Sequence, residues 1–180
     1  GGDGLKQLNV NGAGSSITRT LTTNGLNLNS YTLNVGTTLD ISPTASGTLA
    51  IDVLSAASYG NVITGGNATV GSNTAVDVNV QGYVQSGQTL TIVNGAAGVG
   101  VAGGLTVTDN SPVLTFTPNS AAGADLTLAV SSNYTPAGGT PGGPGDVIKT
   151  IDQGGATGDF ASVLGTLQGL GSSSALQGAI

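Results

Sequence analysis

Cysteine, histidine, methionine and tryptophan are all missing from this sequence, and its nine acidic residues are all aspartate. Without cysteine there is no disulfide framework, no thiolate zinc site and no cysteine nucleophile. Without histidine the commonest general base and metal ligand is gone. The only cations are Lys6, Arg19 and Lys149, against a net charge of −6, so no basic patch can hold nucleic acid or anionic lipid by counterion release. No apolar run approaches the ~20 residues of a membrane-spanning helix. No signal peptide is visible at Gly1-Gly2-Asp3, so a secreted protein would be represented here by a mature fragment or an excised domain.

Aromatics make up 3% of the chain and charged residues 7%, whereas glycine contributes 32 of the 180 residues. The length suffices for one domain with a real core. That core has to be assembled from Val, Leu, Ile and Ala in thin layers, which suits a stacked, elongated object whose layers touch only their neighbours. Thr, Asn, Ser and Gly are left to carry the outer faces.

Alternation with a period of two is the clearest local signal. In Thr48-Leu49-Ala50-Ile51-Asp52-Val53, Leu49, Ile51 and Val53 share one face; in Thr74-Ala75-Val76-Asp77-Val78-Asn79-Val80, Val76, Val78 and Val80 do the same. Such runs are strands with one buried and one wet face. Further strands are expected around Leu90 and Ile92, Leu114 and Phe116, and Leu126 and Leu128, with Pro112 in a turn because it cannot donate to a ladder. Upstream, from Leu5 to Ile41, the apolar beats are shorter and are punctuated by Asn11-Gly12 and Asn24-Gly25. Asn-Gly serves hairpins and solenoid corners alike. Long matched runs flanking each turn are absent, which favours the corners of a right-handed β-helix with a loose period.

The composition then changes. Residues 135–145, dense in Pro and Gly, read as a linker between a β-solenoid over 1–134 and a helical tail over 146–180. In the tail, Val147, Ile148 and Ile151 follow Asp146 as a candidate cap. Phe160, Val163, Leu164, Leu167 and Leu170 then form an apolar face at helical spacing, with Asp159 near its start and Gly171 as a stop, and Ser172-Ser173-Ser174 can begin a further turn or two. An apolar stripe of this size must be buried against something.

Chemistry-bearing groups are few. Asp40, Asp52, Asp77, Asp109 and Asp125 are the only acids within the strand region. Paired carboxylates can cleave glycosides, and turn Asp and Asn can ligate calcium. Neither a partner base nor the repeated Gly-Gly-x-Gly-x-Asp pattern accompanies them, so Asp52 and Asp77 read as solvated outward residues and Asp109 and Asp125 as turn residues. Gly95-Ala96-Ala97-Gly98-Val99-Gly100 lacks the Lys-Ser or Lys-Thr of a phosphate loop and reads as a plain loop. Gly165 and Gly169 offer at most a close helix approach. No catalytic, cofactor or metal residue is assigned, and the chain reads as a non-enzyme.

Several stretches together resemble the C-terminal, autochaperone-like passenger region of a bacterial autotransporter. They are Gly47–Val53, Tyr59-Gly60-Asn61-Val62-Ile63-Thr64-Gly65, Val84–Val93, Thr108–Pro118 and Thr157–Leu164, the last similar to the helical junction that precedes the outer-membrane barrel. The similarity runs from about Thr38 to Leu170 and lies in the order of the motifs. It implies the end of a right-handed parallel β-helix that helps the passenger fold at the bacterial cell surface, after export through the periplasm and outer membrane. The barrel is not among these residues, so the implied role is that of passenger and not translocator. Implied partners are the remainder of the passenger and an outer-membrane barrel. The reading is therefore all-β, a right-handed parallel β-helix with a short α-helical tail, structural and without cofactor. The alternatives are a self-assembling extracellular filament or matrix subunit, joined through solenoid ends or tail helices, and an adhesin surface.

Overall fold

The computed structural model describes residues 5–43, 45–121, 123–135 and 142–180. Its strands fall into three sheets that the chain visits in rotation. β1 (Leu8–Asn9) opens sheet I, β2 (Ser16–Ile17) sheet II and β3 (Leu21–Thr22) sheet III, and β4 (Leu26–Asn27) returns to sheet I. The next circuit is β5 (Thr32–Val35), β6 (Leu39–Ile41) and β7 (Gly47–Ser55), with β8 (Ser58–Tyr59) as a short antiparallel return on β7. β9 (Asn61–Thr64), β10 (Ala68–Val70) and β11 (Thr74–Val80) make another, and β12 (Thr89–Gly95), β13 (Val99–Val101) and β14 (Thr106–Asp109) the one after. Within each sheet, strands from successive circuits pair in parallel.

Parallel register places like on like. In sheet I, Leu8 aligns with Leu26, Leu26 with Leu49, Leu49 with Val76 and Val76 with Val107. Leu33, Val62 and Val93 stack in sheet II, and Leu21, Leu39, Ala68 and Val99 in sheet III. These columns meet in one hydrophobic core. Leu49, Ile51, Val53, Val76, Val78, Val80, Leu90, Ile92, Leu114, Phe116, Leu126 and Leu128 are all buried within it. Each Val or Leu so placed contributes about 1.5–3 kcal/mol. Layers sit close enough that the Gly36 carbonyl occupies the place a Cβ on Gly65 would take, and the Asn24 carbonyl does the same at Gly47.

The last layer departs from the parallel arrangement. β15 (Leu114–Asn119) and β16 (Leu126–Ser132) form an antiparallel pair, and β16 joins β12 antiparallel. Only six residues separate β15 from β16, too few for the crossover a parallel pair needs, so the chain reverses. One loop expectation also changes. Val99 and Gly100, read as loop, belong to β13, because β10 supplies a template that the glycine-rich sequence does not advertise. Gly82–Gln85 lies outside the strands and forms a corner, followed by a turn at Ser86-Gly87 before β12.

Three helices follow: α1 (Pro144–Gly154), α2 (Gly158–Gln168) and α3 (Ser173–Ala179). Of the expected linker 135–145, residues 136–141 lie outside the described residues. Pro144 and Gly145 belong to α1, since proline at the first helical position loses no hydrogen bond. Asp146 accepts from the Gly142 N–H at 2.5 Å and the Thr135 hydroxyl at 3.2 Å, and the Ser172 hydroxyl caps α3 by accepting from Ala175 N–H at 3.2 Å. Among the described residues no helix is long and apolar enough to cross a membrane.

Candidate functional site

The outward faces carry polar ladders. On sheet I the Asn79 side-chain amide donates to Asp52 at 2.8 Å, Asn110 donates to Asn79 at 2.9 Å, and the Thr108 hydroxyl donates to Asp77 at 3.0 Å. A shallow groove of about 340 Å³ follows this face past Asn29, Asp52, Asp77, Asn79 and Asp109. Burial, reinforced by the Asp77 charge, holds the Asp109 carboxyl above the usual range, while Ser111 N–H, donating to it at 2.8 Å, pulls the other way. Asp125 accepts from the Asn94 side chain at 3.0 Å and the Gly95 N–H at 3.2 Å. Asp40 lies between Thr22 and Thr69 in sheet III, with one carboxylate oxygen buried and without a hydrogen-bond partner. Asp52, Asp77 and Asp109 thus share one groove; Asp52 and Asp77 are tied to an amide and a hydroxyl of the neighbouring layer, and Asp109 to the Ser111 N–H of its own turn. No group of three acidic, histidine or cysteine residues among the described residues is arranged to hold a metal ion.

The most elaborate chemistry lies where the tail meets the corner at residues 81–86. Asp152 of α1 is fully buried. It accepts from the Tyr83 hydroxyl at 2.9 Å, from the Ser132 hydroxyl in a very short bond, and from the Ser86 N–H at 3.4 Å. Gln168 of α2 is equally buried; its carboxamide accepts from the Val84 N–H at 2.8 Å and donates to the Val84 carbonyl and the Tyr134 hydroxyl, each at 2.8 Å. Burial first, and then the hydrogen bond to Asp152 and its charge, push the phenol of Tyr83 up to about 12, against the Ala156 N–H, and burial with the Asp152 charge raises Tyr134 as well. These bonds clamp the helices without a cation. Sequence reading passed over Tyr83, Ser132, Tyr134, Asp152 and Gln168 as ordinary polar residues. The available signal was spacing: Gln168 stands four residues after Leu164, on the same helical face.

The tail face itself is rotated from expectation. Leu164, Leu167 and Leu176 are buried and Leu170 partly so, but Phe160 and Val163 are 60% and 55% exposed. The reason is the Gly165 approach: a Cβ there would lie 3.0 Å from Tyr83 N, so the glycine side of α2 faces the corner and Gln168 turns inward with it. At the other end of the molecule, β1 and β2 are the edges of their sheets among the described residues, while next to β3 Leu5 bridges Thr23 in parallel. Leu8 and Ile17 are only partly buried there, and Leu5 is exposed. No family model matches the chain, and no curated protein matches it.

Proposed function

We propose that this chain is a right-handed β-helix segment of an autotransporter-like passenger, a non-catalytic structural block displayed outside the cell after export through the periplasm and outer membrane. Its task is to stabilise the C-terminal end of the passenger and to template the coils that precede it. The single observation supporting this reading is the contrast between the two ends. The first turn offers parallel sheet edges at β1 and β2 and incompletely covered Leu8 and Ile17, while sheet II ends in the antiparallel β16 and β15, with the tail helices bonded where β16 ends, at Ser132 and Tyr134. An edge presenting aligned donors and acceptors lowers the entropic cost of ordering the next strand. The partners on this reading are the remainder of the passenger and an outer-membrane barrel.

Refolding of a longer β-helical passenger segment fused ahead of Leu5 tests the reading. Fusion to the native chain should speed and complete refolding of that segment, and fusion to the Ile17→Asp variant should not. Equal refolding yields and rates with the two fusions would remove the templating role.

A further inference from the structure

Several outward asparagines spend their side-chain amides in holding layers together. Asn29 donates to the Val10 carbonyl at 2.8 Å, Asn79 to Asp52 at 2.8 Å, Asn94 to Asp125 at 3.0 Å and Asn110 to Asn79 at 2.9 Å. Asn67 differs. It is exposed just before β10, its backbone carbonyl accepts from the Leu39 N–H at 3.1 Å, and its side chain makes no hydrogen bond among the described residues.

Asn67 opens the triplet Asn67-Ala68-Thr69, and Asn-x-Thr is the acceptor pattern of N-linked glycosylation. An amide nitrogen is a weak nucleophile, since its lone pair is shared with the carbonyl, so a transferase has to reach both the amide and the hydroxyl two residues on. Ala68 is buried, and strand alternation turns Asn67 and Thr69 outward together, both exposed. The Thr69 hydroxyl, like the Asn67 amide, is unbonded among the described residues.

The layer above leaves room beside them. Gly100 pairs with Thr69, and Gly98, whose carbonyl accepts from the Ala68 N–H at 3.1 Å, lies beside Asn67. Neither glycine carries a side chain, and an open hollow of about 370 Å³ results, lined by Asn67, Thr69, Gly98, Gly100, Ser120 and Gly123 among others. Small-molecule sites span about 300–1,000 Å³, so a single sugar ring fits. On sheet I the equivalent outward space is filled, by Thr108 over Asp77 and by Asn110 over Asn79.

The sequence contains one other such triplet, Asn133-Tyr134-Thr135. There the fold has committed the same groups. The Asn133 side-chain carbonyl accepts from the Thr135 N–H at 3.1 Å, the Thr135 hydroxyl donates to Asp146 at 3.2 Å, and Tyr134 between them is fully buried.

We propose that Asn67 is a site of N-linked glycosylation, with the first sugar seated in the hollow over Gly98 and Gly100, and that Asn133 stays unmodified. The co-reactant is a sugar carried on a diphosphate. A bond forms between Asn67 Nδ2 and the anomeric carbon, the bond from that carbon to the diphosphate oxygen breaks, and the diphosphate leaves with the electron pair. The amide proton passes to a basic group of the transferase, a separate protein; this chain supplies only the acceptor. The inference goes beyond the structural role proposed above and does not depend on it.

Glycopeptide mass spectrometry of the full chain, isolated from the cells that produce it, reads both triplets. The Asn67 peptide should carry the mass of one or more sugars and the Asn133 peptide none. Asn67→Gln and Thr69→Ala should each lose the modification, and Thr69→Ser should keep it. All three should retain the wild-type circular dichroism, because both positions are exposed and unbonded. Amide chemical shifts locate the sugar: those of Gly98, Gly100 and Gly123 should differ between the modified chain and the same chain made in a host without the transferase. A bare Asn67 overturns the proposal, as does a sugar that persists in Asn67→Gln and so sits on Thr69. Occupancy of Asn133 equal to that of Asn67 overturns the choice between the triplets, and unchanged shifts at the three glycines overturn the seating.

Discussion

Gln168 and Val84 form a closed pair: the carboxamide takes the Val84 N–H and returns a hydrogen to the Val84 carbonyl, both at 2.8 Å, in a fully buried setting. A side chain from a helix thus completes a backbone position that the sheets leave open. Removing it strands two main-chain groups and the Tyr134 hydroxyl away from water.

Gln168→Leu is accordingly expected to lower the stability of the tail junction by about 3 kcal/mol, from buried polar groups left unpaired. Urea unfolding followed by near-ultraviolet circular dichroism, which senses Tyr83 and Tyr134, measures it. A loss below about 0.5 kcal/mol, the range of ordinary surface changes, contradicts the clamp.

Val76 stacks between Leu49 and Val107 in sheet I, and Leu128 faces Leu90 across β12 and β16. Val76→Asp and Leu128→Asp each put a carboxylate into that core and are expected to abolish folding of the block. Asp77→Asn keeps an acceptor for the Thr108 hydroxyl and should change stability by no more than about 0.5 kcal/mol. Thermal melts compare them, and a Val76→Asp protein melting with the wild type would refute the inward placement.

Gly65 and Gly104 differ in what lies beside them. A Cβ on Gly65 meets the Gly36 backbone of the layer below, whereas Gly104 has open space. Gly65→Ala should cost about 1–3 kcal/mol by forcing the layers apart. Gly104→Ala should be neutral or slightly stabilising through the unfolded chain. Equal melting temperatures for the two variants would contradict the layer spacing.

Tyr83 supplies a pH signature. Burial raises its phenol from 10.0 to about 12 in the folded chain. Ionisation is therefore easier in the unfolded state, so this stabilisation is complete below about pH 10 and is lost as pH rises from there through about 12. Tyrosinate absorbance should show Tyr83 ionising late, with Ser86 N–H exchange losing protection in the same window. Tyr83→Phe should flatten that part of the stability profile; an unchanged profile would place the alkaline transition elsewhere.

Alternation made β7 and β11 legible because their outward positions are polar and their inward positions β-branched or Leu. β13 was not legible, since Val99-Gly100-Val101 is too short and too rich in glycine to be told from a loop without β10 beside it. The helices were visible from the change of period, but not which face they bury. Phe160 and Val163 are the stronger apolar residues and still face outward, because the glycine approach at Gly165 fixes the rotation of α2. Asp152 and Gln168 escaped notice for a related reason: a polar residue looks solvated until its partners are known.

By itself the amino-acid sequence determined a β-rich body of aliphatic layers followed by short helices, because side-chain period and the shortage of bulky or charged residues are local properties. Tertiary structure alone decided the pairing of the strands, the reversal at β15 and β16, and the docking of the tail through Asp152 and Gln168. Those outcomes depend on which backbone donors and acceptors remain unfilled once the layers have stacked, and residues separated by as many as 84 positions, as Val84 and Gln168 are, have to meet before that need exists.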